Sequence, residues 1–376
     1  MNPLDEAMQR RSAAAYVAYG SSADADIRYL THFQVTDPLV YVKKKGEQGI
    51  IIVSTMEYER AKRESMVQVM SRNEAGFFEF LKEDPAHREK ATARMIAALA
   101  GGDVLVPPQF PFLLGKELET FFPVSVEKEA VKGMRAVKSA EELNHLRLVQ
   151  RATDEAMKTA LTLIKKSIPR GEMLVYRDKP LTSEDVKAAL QKHLIDHGCI
   201  GRDTIVSCGP DTALPHLTGK GPLHPDEPII IDIFPQAEDS GYFADMTRTV
   251  VKGEPSKEIT EMYLAVQEAQ SRAVSRIRAG ISGADIHQDV VDFFKERGYE
   301  SDSQGFMHNL GHGVGLEVHE IPVLGAGGES LQAGNVVTVE PGLYYPEHGG
   351  VRLEDMGAVT DGGFERFTRC EEILIL

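Results

Sequence analysis

The sequence predicts an α/β chain in two parts: a small N-terminal α/β domain, then a larger α+β domain with internal pseudo-twofold symmetry. Three observations carry this. Short apolar runs alternate with amphipathic stretches over residues 1–133. A pattern of two helices followed by an apolar strand occurs twice over residues 134–376. The chain has 376 residues, 42% of them apolar and 26% charged, which is mass for one large domain or two medium ones. Its 33 glycines and 19 prolines are too few for a disordered chain.

In the first part, Tyr16–Tyr19, Gly49–Ser54 and Val104–Pro107 read as strands, and Glu57–Met66 and Pro85–Ala100 as helices. Lys43-Lys44-Lys45-Gly46 reads as a hairpin turn between two apolar runs; the acidic surroundings argue against a nucleic-acid patch there. The polar stretch Glu127–Gly133 reads as a linker, which sets the domains at 1–133 and 134–376.

The second part opens with the capping box Ser139-Ala140-Glu141-Glu142. Leu143, Leu146, Val149, Ala156, Ala160 and Ile164 then mark one face of a helix over 139–165. A shorter helix, Thr182–His197, stops at Gly198. The repeat follows: a long helix over 256–279 and a shorter one, Ser282–Arg297, stopping at Gly298. Each pair leads into a histidine-bearing stretch, Cys208–His216 and His308–His319. Each half then has an apolar strand ending in an acid, Ile229–Asp232 and Val336–Glu340, with Pro235 or Pro341 close behind. A second acid returns at a nearly equal interval: Asp245 (245 − 232 = 13) and Glu354 (354 − 340 = 14). A carboxylate directly after three or four apolar residues is costly to bury unless a cation or donor balances it. Asp232 and Glu340 sit so, and with Asp245 and Glu354 in matched order the four acids point to one shared site.

Three histidines within twelve residues, His308, His312 and His319, stand among glycines that let backbone and imidazole approach a site closely. His319-Glu320 lacks the second histidine of a zinc helix motif, and neither a dinucleotide nor a phosphate loop is present. Four carboxylates and an imidazole without thiolates suit divalent Mn, Co, Fe or Zn. Shared carboxylates can hold two ions roughly 3.5–4 Å apart and make a hydroxide available near neutral pH.

The charge balance narrows the partners. With 57 acidic and 42 basic residues the net charge is −15, which repels nucleic acid and anionic membrane. Cys199, Cys208 and Cys370 offer no disulfide framework, and Cys208 reads as a small buried residue. The first twenty residues lack the apolar core of a signal peptide, and no run approaches a membrane span. A cytoplasmic enzyme is the expectation.

Asp232, Asp-Met-Thr-Arg-Thr at 245–249, Gly-His-Gly-Val-Gly at 311–315, Val-Glu-Pro-Gly-Leu-Tyr at 339–344 and Val-Arg-Leu-Glu-Asp at 351–355 together resemble the pita-bread metallopeptidases. Within them the resemblance is to the Xaa-Pro branch, prolidase and aminopeptidase P. It covers residues 138–376, from Lys138-Ser139-x-Glu141-Glu142 onward, and the first domain resembles the creatinase-like partner of that fold. The resemblance implies two divalent metal ions, Mn, Co or Zn, held by Asp232, Asp245, His312, Glu340 and Glu354, with Asp245 and Glu354 bridging. It implies Glu340 as the proton-handling base, His319 as donor to the tetrahedral intermediate, and His308 and His216 lining the pocket. Arg352 would face a substrate carboxylate or hold the site's hydrogen bonds; the plainer alternative for it is a surface salt bridge, and for His216 a turn histidine after Pro215. Two departures bear on pocket shape: Ile233-Phe234-Pro235 after Asp232 with a longer run to Asp245, and Asn309 where glycine is common.

The expected reaction is hydrolysis of the bond between an N-terminal residue and proline by metal-held hydroxide, in a homodimer. The two-domain length slightly favours a dipeptidase over an aminopeptidase P acting on longer peptides. The large first domain and Arg352 argue against a methionine aminopeptidase. The intact acid set argues against metal-free creatine-type hydrolysis and against a non-catalytic binding module on the same fold.

Overall fold

The structure is a computed structural model that describes residues 2–376. The chain forms two compact units, one ending at Arg135 and one spanning Ala136–Leu376.

The first unit is a six-stranded mixed sheet in the order β4-β3-β2-β1-β5-β6, with β1 Ala15–Gly20, β2 Leu39–Lys44, β3 Ile50–Val53, β4 Gln68–Ser71, β5 Val104–Val106 and β6 Val124–Val126. Among the described residues seven helices accompany it: α1 Pro3–Arg11, α2 Ala25–Thr31, α3 Thr55–Glu64, α4 Phe77–Glu83, α5 Arg88–Ala100, α6 Phe112–Leu118 and α7 Ala130–Ala136. Alternation along β1 sends Tyr16 and Ala18 to one buried layer and Ala15 and Val17 to the other. Lys43 is buried in an ion pair with Asp5 at 2.8 Å and donates to the Glu47 carbonyl, so its charge serves the turn. Glu127–Gly133 is not the open linker its polarity suggests. From Ala130 onward it is α7, because Ala130, Val131 and Met134 fall on one side and pack into the first unit's core.

The second unit begins with α8 Ala140–Lys166, whose Ser139 and Glu142 form the reciprocal cap. Leu146, Val149, Ala156, Ala160 and Ile164 are buried along it, and Leu143 is half-buried. A small sheet of β7 Ile168–Arg170, β8 Met173–Tyr176 and β9 Lys179–Pro180 leads to α9 Ser183–Asp196, capped by Thr182. β10 Cys199–Ile200 pairs with β13 Gln236–Ala237. The first half's main sheet is β11 Ile205–Cys208, β12 Pro228–Ile233 and β14 Met246–Val251, in the order β11-β12-β14 and antiparallel throughout.

The second half repeats this. Helices α10 Lys257–Arg276 and α11 Gly283–Glu296, capped by Ser256 and Ser282, precede β15 Gly311–Gly313, β16 Glu320–Leu324, β17 Val336–Val339, β20 Asp355–Val359 and β21 Phe364–Arg366. Their order, β16-β15-β17-β20-β21, contains the same three-strand core, β15-β17-β20, extended at both edges. A hairpin of β18 Gly342–Tyr345 and β19 Gly349–Arg352 joins β17 to β20. In both halves a central apolar strand ends at the first acid, and the second acid directly precedes the next antiparallel strand.

Candidate metal centre

Strand register decides where the acids point. Asp232 lies opposite Thr247, so Asp232, Thr247 and Asp245 share one face of the β12–β14 pair. In the other half Val339 lies opposite Asp355, which sets Glu340 and Glu354 across from each other at the strand ends. The isoleucines before Asp232 and the valines before Glu340 are almost fully buried. Each such side chain contributes about 1.5–3 kcal/mol, which anchors the strand that carries the adjacent carboxylate.

His312 reaches the same place by a bulge. The register between β15 and β16 shifts at His312/Gly313, which re-aims the side chain. Gly311 and Gly313 are required because a Cβ on either would fall onto a strand carbonyl, of Thr338 and Ile321 respectively. His312 Nδ1 donates to the Gly313 carbonyl at 3.1 Å, leaving Nε2 to face the carboxylates. Nε2 lies 3.1 Å from Glu340 Oε1 and 3.8 Å from Asp245 Oδ2. Donor atoms of Asp245, His312 and Glu354 all lie within 4.8 Å of one another.

A layer of donors holds the acids. Arg352 Nη2 donates to Asp232 Oδ2 at 2.7 Å, Nη1 to the Tyr344 hydroxyl at 2.8 Å, and Nε to Thr247 Oγ1 at 3.2 Å. Arg352 is buried at 3% exposure, which removes the surface salt bridge as an account of it; what it touches in the structure is the site itself. Thr247 Oγ1 donates onward to Glu354 Oε2 at 2.8 Å. Thr338 Oγ1 accepts from the His312 backbone and donates to Glu340 Oε1 at 3.2 Å. Arg248 donates to the Glu354 carbonyl at 2.7 Å and pairs with Asp355. Lys138 pairs with Glu320, which also accepts the backbone N–H groups of Leu316 and Glu317 and so fixes the loop carrying His319.

The remaining histidines surround this cluster. The His319 ring stands edge-on to His312 at 4.2 Å. His308 Nδ1 donates to the Asn309 carbonyl, and its Nε2 is 3.0 Å from the Tyr344 hydroxyl. His216 is exposed and touches none of the acids. With Leu214, Pro215, Leu217, Met307 and His308 it lines a groove of about 490 Å³. Between Asp232 and Asp245, the longer run folds back on itself: Ala244 bonds to Pro235 and Gln236 to the Gly241 carbonyl.

The charges do not balance within the protein. Burial, then repulsion from Asp232, pushes Asp245 well above the carboxylate range. Burial, then Asp245 and Glu340, does the same to Glu354. Burial raises Asp232 against the pull of Arg352. Burial opposes ionisation of Glu340 too, but the hydrogen bond and charge of His312 outweigh it and hold Glu340 at about 2. Burial likewise opposes protonation of His312, yet Glu340 and Asp245 lift it to about 9. Burial lowers His308 and His319, keeping both neutral at pH 7. Asp232 Oδ1 is buried with no hydrogen-bond partner. Buried acids in excess of their donors, an unpartnered carboxylate oxygen and an imidazole held through Nδ1 by a carbonyl fit divalent cations.

An oxygen-rich centre with one imidazole, at the strand ends of a duplicated α+β unit, defines a metallohydrolase. The chain belongs to Metallopeptidase family M24, which it matches over residues 144–361, and its first unit matches the Creatinase/Prolidase N-terminal domain over residues 1–102. The Xaa-Pro dipeptidase of Pyrococcus horikoshii is 31% identical over 344 residues, 89% of this chain and 88% of the relative. That of Pyrococcus furiosus is 29% identical over 348 residues, 92% of each. The solved structure of the Pyrococcus horikoshii prolidase aligns with a TM-score of 0.82 at 27% identity, covering 99% of both chains.

Sequence reasoning missed Thr247, Thr338 and Tyr344 as parts of the site. The signal existed: Thr247 and Thr338 each lie two residues from an acid on a strand, hence on its face.

Proposed function

We propose that this chain is a metal-dependent exopeptidase that hydrolyses the bond between an N-terminal residue and proline, with dipeptides as preferred substrates. The observation that carries the reading is the convergence of Asp245, His312 and Glu354 donor atoms within 4.8 Å beside an unpartnered Asp232 oxygen. Support for proline comes from the archaeal relatives, both Xaa-Pro dipeptidases aligned along about nine-tenths of each chain.

Asp232 and Asp245 would hold one ion, and His312 and Glu340 the other, with Asp245 and Glu354 shared; Mn, Co or Zn suits such donors. When bound, a pair of divalent ions polarises a carbonyl and lowers the pKa of water toward about 7. Glu340 would accept the proton released in attack. His319, neutral and beside His312, donates to the oxygen that develops charge. Arg352 donates to Tyr344, whose hydroxyl donates to His308 Nε2; this relay fixes the imidazole at the groove. The apolar side chains Leu214, Leu217 and Met307 suit a prolyl ring, and His216 and His308 suit the polar end of a short substrate. Arg352 thus serves the substrate through Asp232 and Tyr344.

Three free cysteines suit a reducing, cytoplasmic setting, and a homodimer is the assembly to test by light scattering. Among the described residues no helix is long and apolar enough to cross a membrane. The deciding assay compares Ala-Pro with Ala-Pro-Ala under Mn, Co and Zn. Higher kcat/KM for Ala-Pro supports the dipeptidase; preference for the tripeptide replaces it with an aminopeptidase; no cleavage of either overturns the proline reading.

A further inference from the structure

A second group of metal-type donors lies outside this centre, on the surface of α8 and α9. His193 and His197 are four residues apart at the end of α9, so their rings share a face and stack at 4.3 Å between centroids. Glu155 comes from α8, which packs against α9. Its Oε2 is 3.7 Å from Nε2 of His193 and 3.5 Å from Nε2 of His197. Donor atoms of all three lie within 4.8 Å of one another. These separations are too long for good hydrogen bonds. Around a tetrahedral zinc ion with bonds of about 2.0–2.2 Å, neighbouring donor atoms stand about 3.3–3.6 Å apart.

Two further details point the nitrogens at a cation. His197 Nδ1 donates to the His193 carbonyl at 2.9 Å, which leaves Nε2 carrying the lone pair, the arrangement that outer partners impose on metal-binding imidazoles. His193 Nε2 is buried and has no hydrogen-bond partner. A buried nitrogen without a hydrogen bond is costly, and an ion shared with the Glu155 carboxylate would satisfy it. Glu155 and His197 are exposed, so water can complete the coordination.

We propose that Glu155, His193 and His197 form a separate surface site for a borderline divalent cation such as zinc, which cross-links α8 to α9. Two imidazoles with one carboxylate favour zinc over the harder magnesium, calcium or manganese.

The test counts zinc on the full-length protein after equilibrium dialysis against graded free Zn2+. It compares the wild type with Glu155→Gln, with His193→Gln/His197→Gln, and with Asp245→Asn/Glu354→Gln. The wild type should bind one more zinc per chain than the double histidine variant, and Asp245→Asn/Glu354→Gln should keep that ion. Glu155→Gln should weaken it by at least about tenfold, since even outer partners of a metal site are worth 10–100-fold. Zinc should raise the melting temperature of Asp245→Asn/Glu354→Gln and not that of the double histidine variant. Glu155 is exposed, so its replacement leaves folding intact and decides the matter if the double histidine variant does not fold. Glu155→Gln should also keep wild-type peptidase activity. Equal zinc affinity and count in the wild type and Glu155→Gln would overturn the site.

Discussion

Arg352 takes one oxygen of Asp232, at 2.7 Å from Oδ2, and leaves the other, Oδ1, buried without a donor. The pair is strongly desolvated, and breaking such a pair by removing one partner costs about 3–5 kcal/mol. Arg352→Gln should therefore lower the stability of the metal-stripped protein by about that amount in urea denaturation. It should also weaken metal binding by about 10–100-fold, measured by competition with a chelator. Unchanged affinity would separate Arg352 from the centre.

Glu354 should carry a cost of its own. Its carboxyl is raised well above the ordinary range by burial and by Asp245 and Glu340, so its charge is unfavourable in the stripped fold. Glu354→Gln should give a stripped protein that melts higher than the stripped wild type and no longer responds to added metal. Its peptidase activity should vanish. An active Glu354→Gln enzyme with full metal content would refute the assignment.

The stripped protein should lose stability as pH rises from about 7 to 9. His312, raised to about 9, is protonated more tightly in the folded state than in the unfolded one, so its contribution is lost across this interval. Asp245 and Glu354 are raised too, so their contribution is full only below the ordinary carboxylate range and declines as pH climbs above it. His308 and His319 are lowered and stay neutral there in both states, while Glu340, near 2, is ionised throughout. Metal binding displaces these protons, so the metal-induced gain in melting temperature should grow with pH. Calorimetric scans at several pH values, with and without Mn2+, measure both trends.

Tyr344→Phe should separate positioning from metal binding. It removes the hydroxyl between His308 Nε2 and Arg352 Nη1 and leaves a buried donor unpaired, which costs about 1–3 kcal/mol. We expect kcat to fall with metal content unchanged, read by elemental analysis beside steady-state kinetics. A loss of metal instead would place Tyr344 with the ligands' own supports.

Much of this arrangement was legible because the same physics acted twice. An acid at the end of an apolar strand, and a second acid at a near-equal interval, mark Asp232, Asp245, Glu340 and Glu354 in the sequence itself. The capped helices were equally plain, since Ser139 and Thr182 announce themselves locally. What escaped was tertiary. Polar Glu127–Gly133 hid a helix because its few apolar residues find partners only in the first unit's core. Tyr344 stands in the sequence only as the end of the Val-Glu-Pro-Gly-Leu-Tyr string; its buried hydroxyl has meaning only once Arg352 and His308 come within reach. Arg352 read as ambiguous because nothing local shows which carboxylate it will meet.

The clustered side chains come from both halves of the duplicated unit, and Asp232 and Glu354 are separated by 122 positions (354 − 232 = 122). Contacts so remote in sequence form late, after slow loop closure. An unfolded chain therefore offers no preassembled chelate of all five ligands; the full site exists only once both halves have closed. Loading becomes a matter of supply and exchange after synthesis. Where divalent ions are scarce, newly made chains would accumulate folded but idle, and ready to be switched on by the next ion that diffuses in.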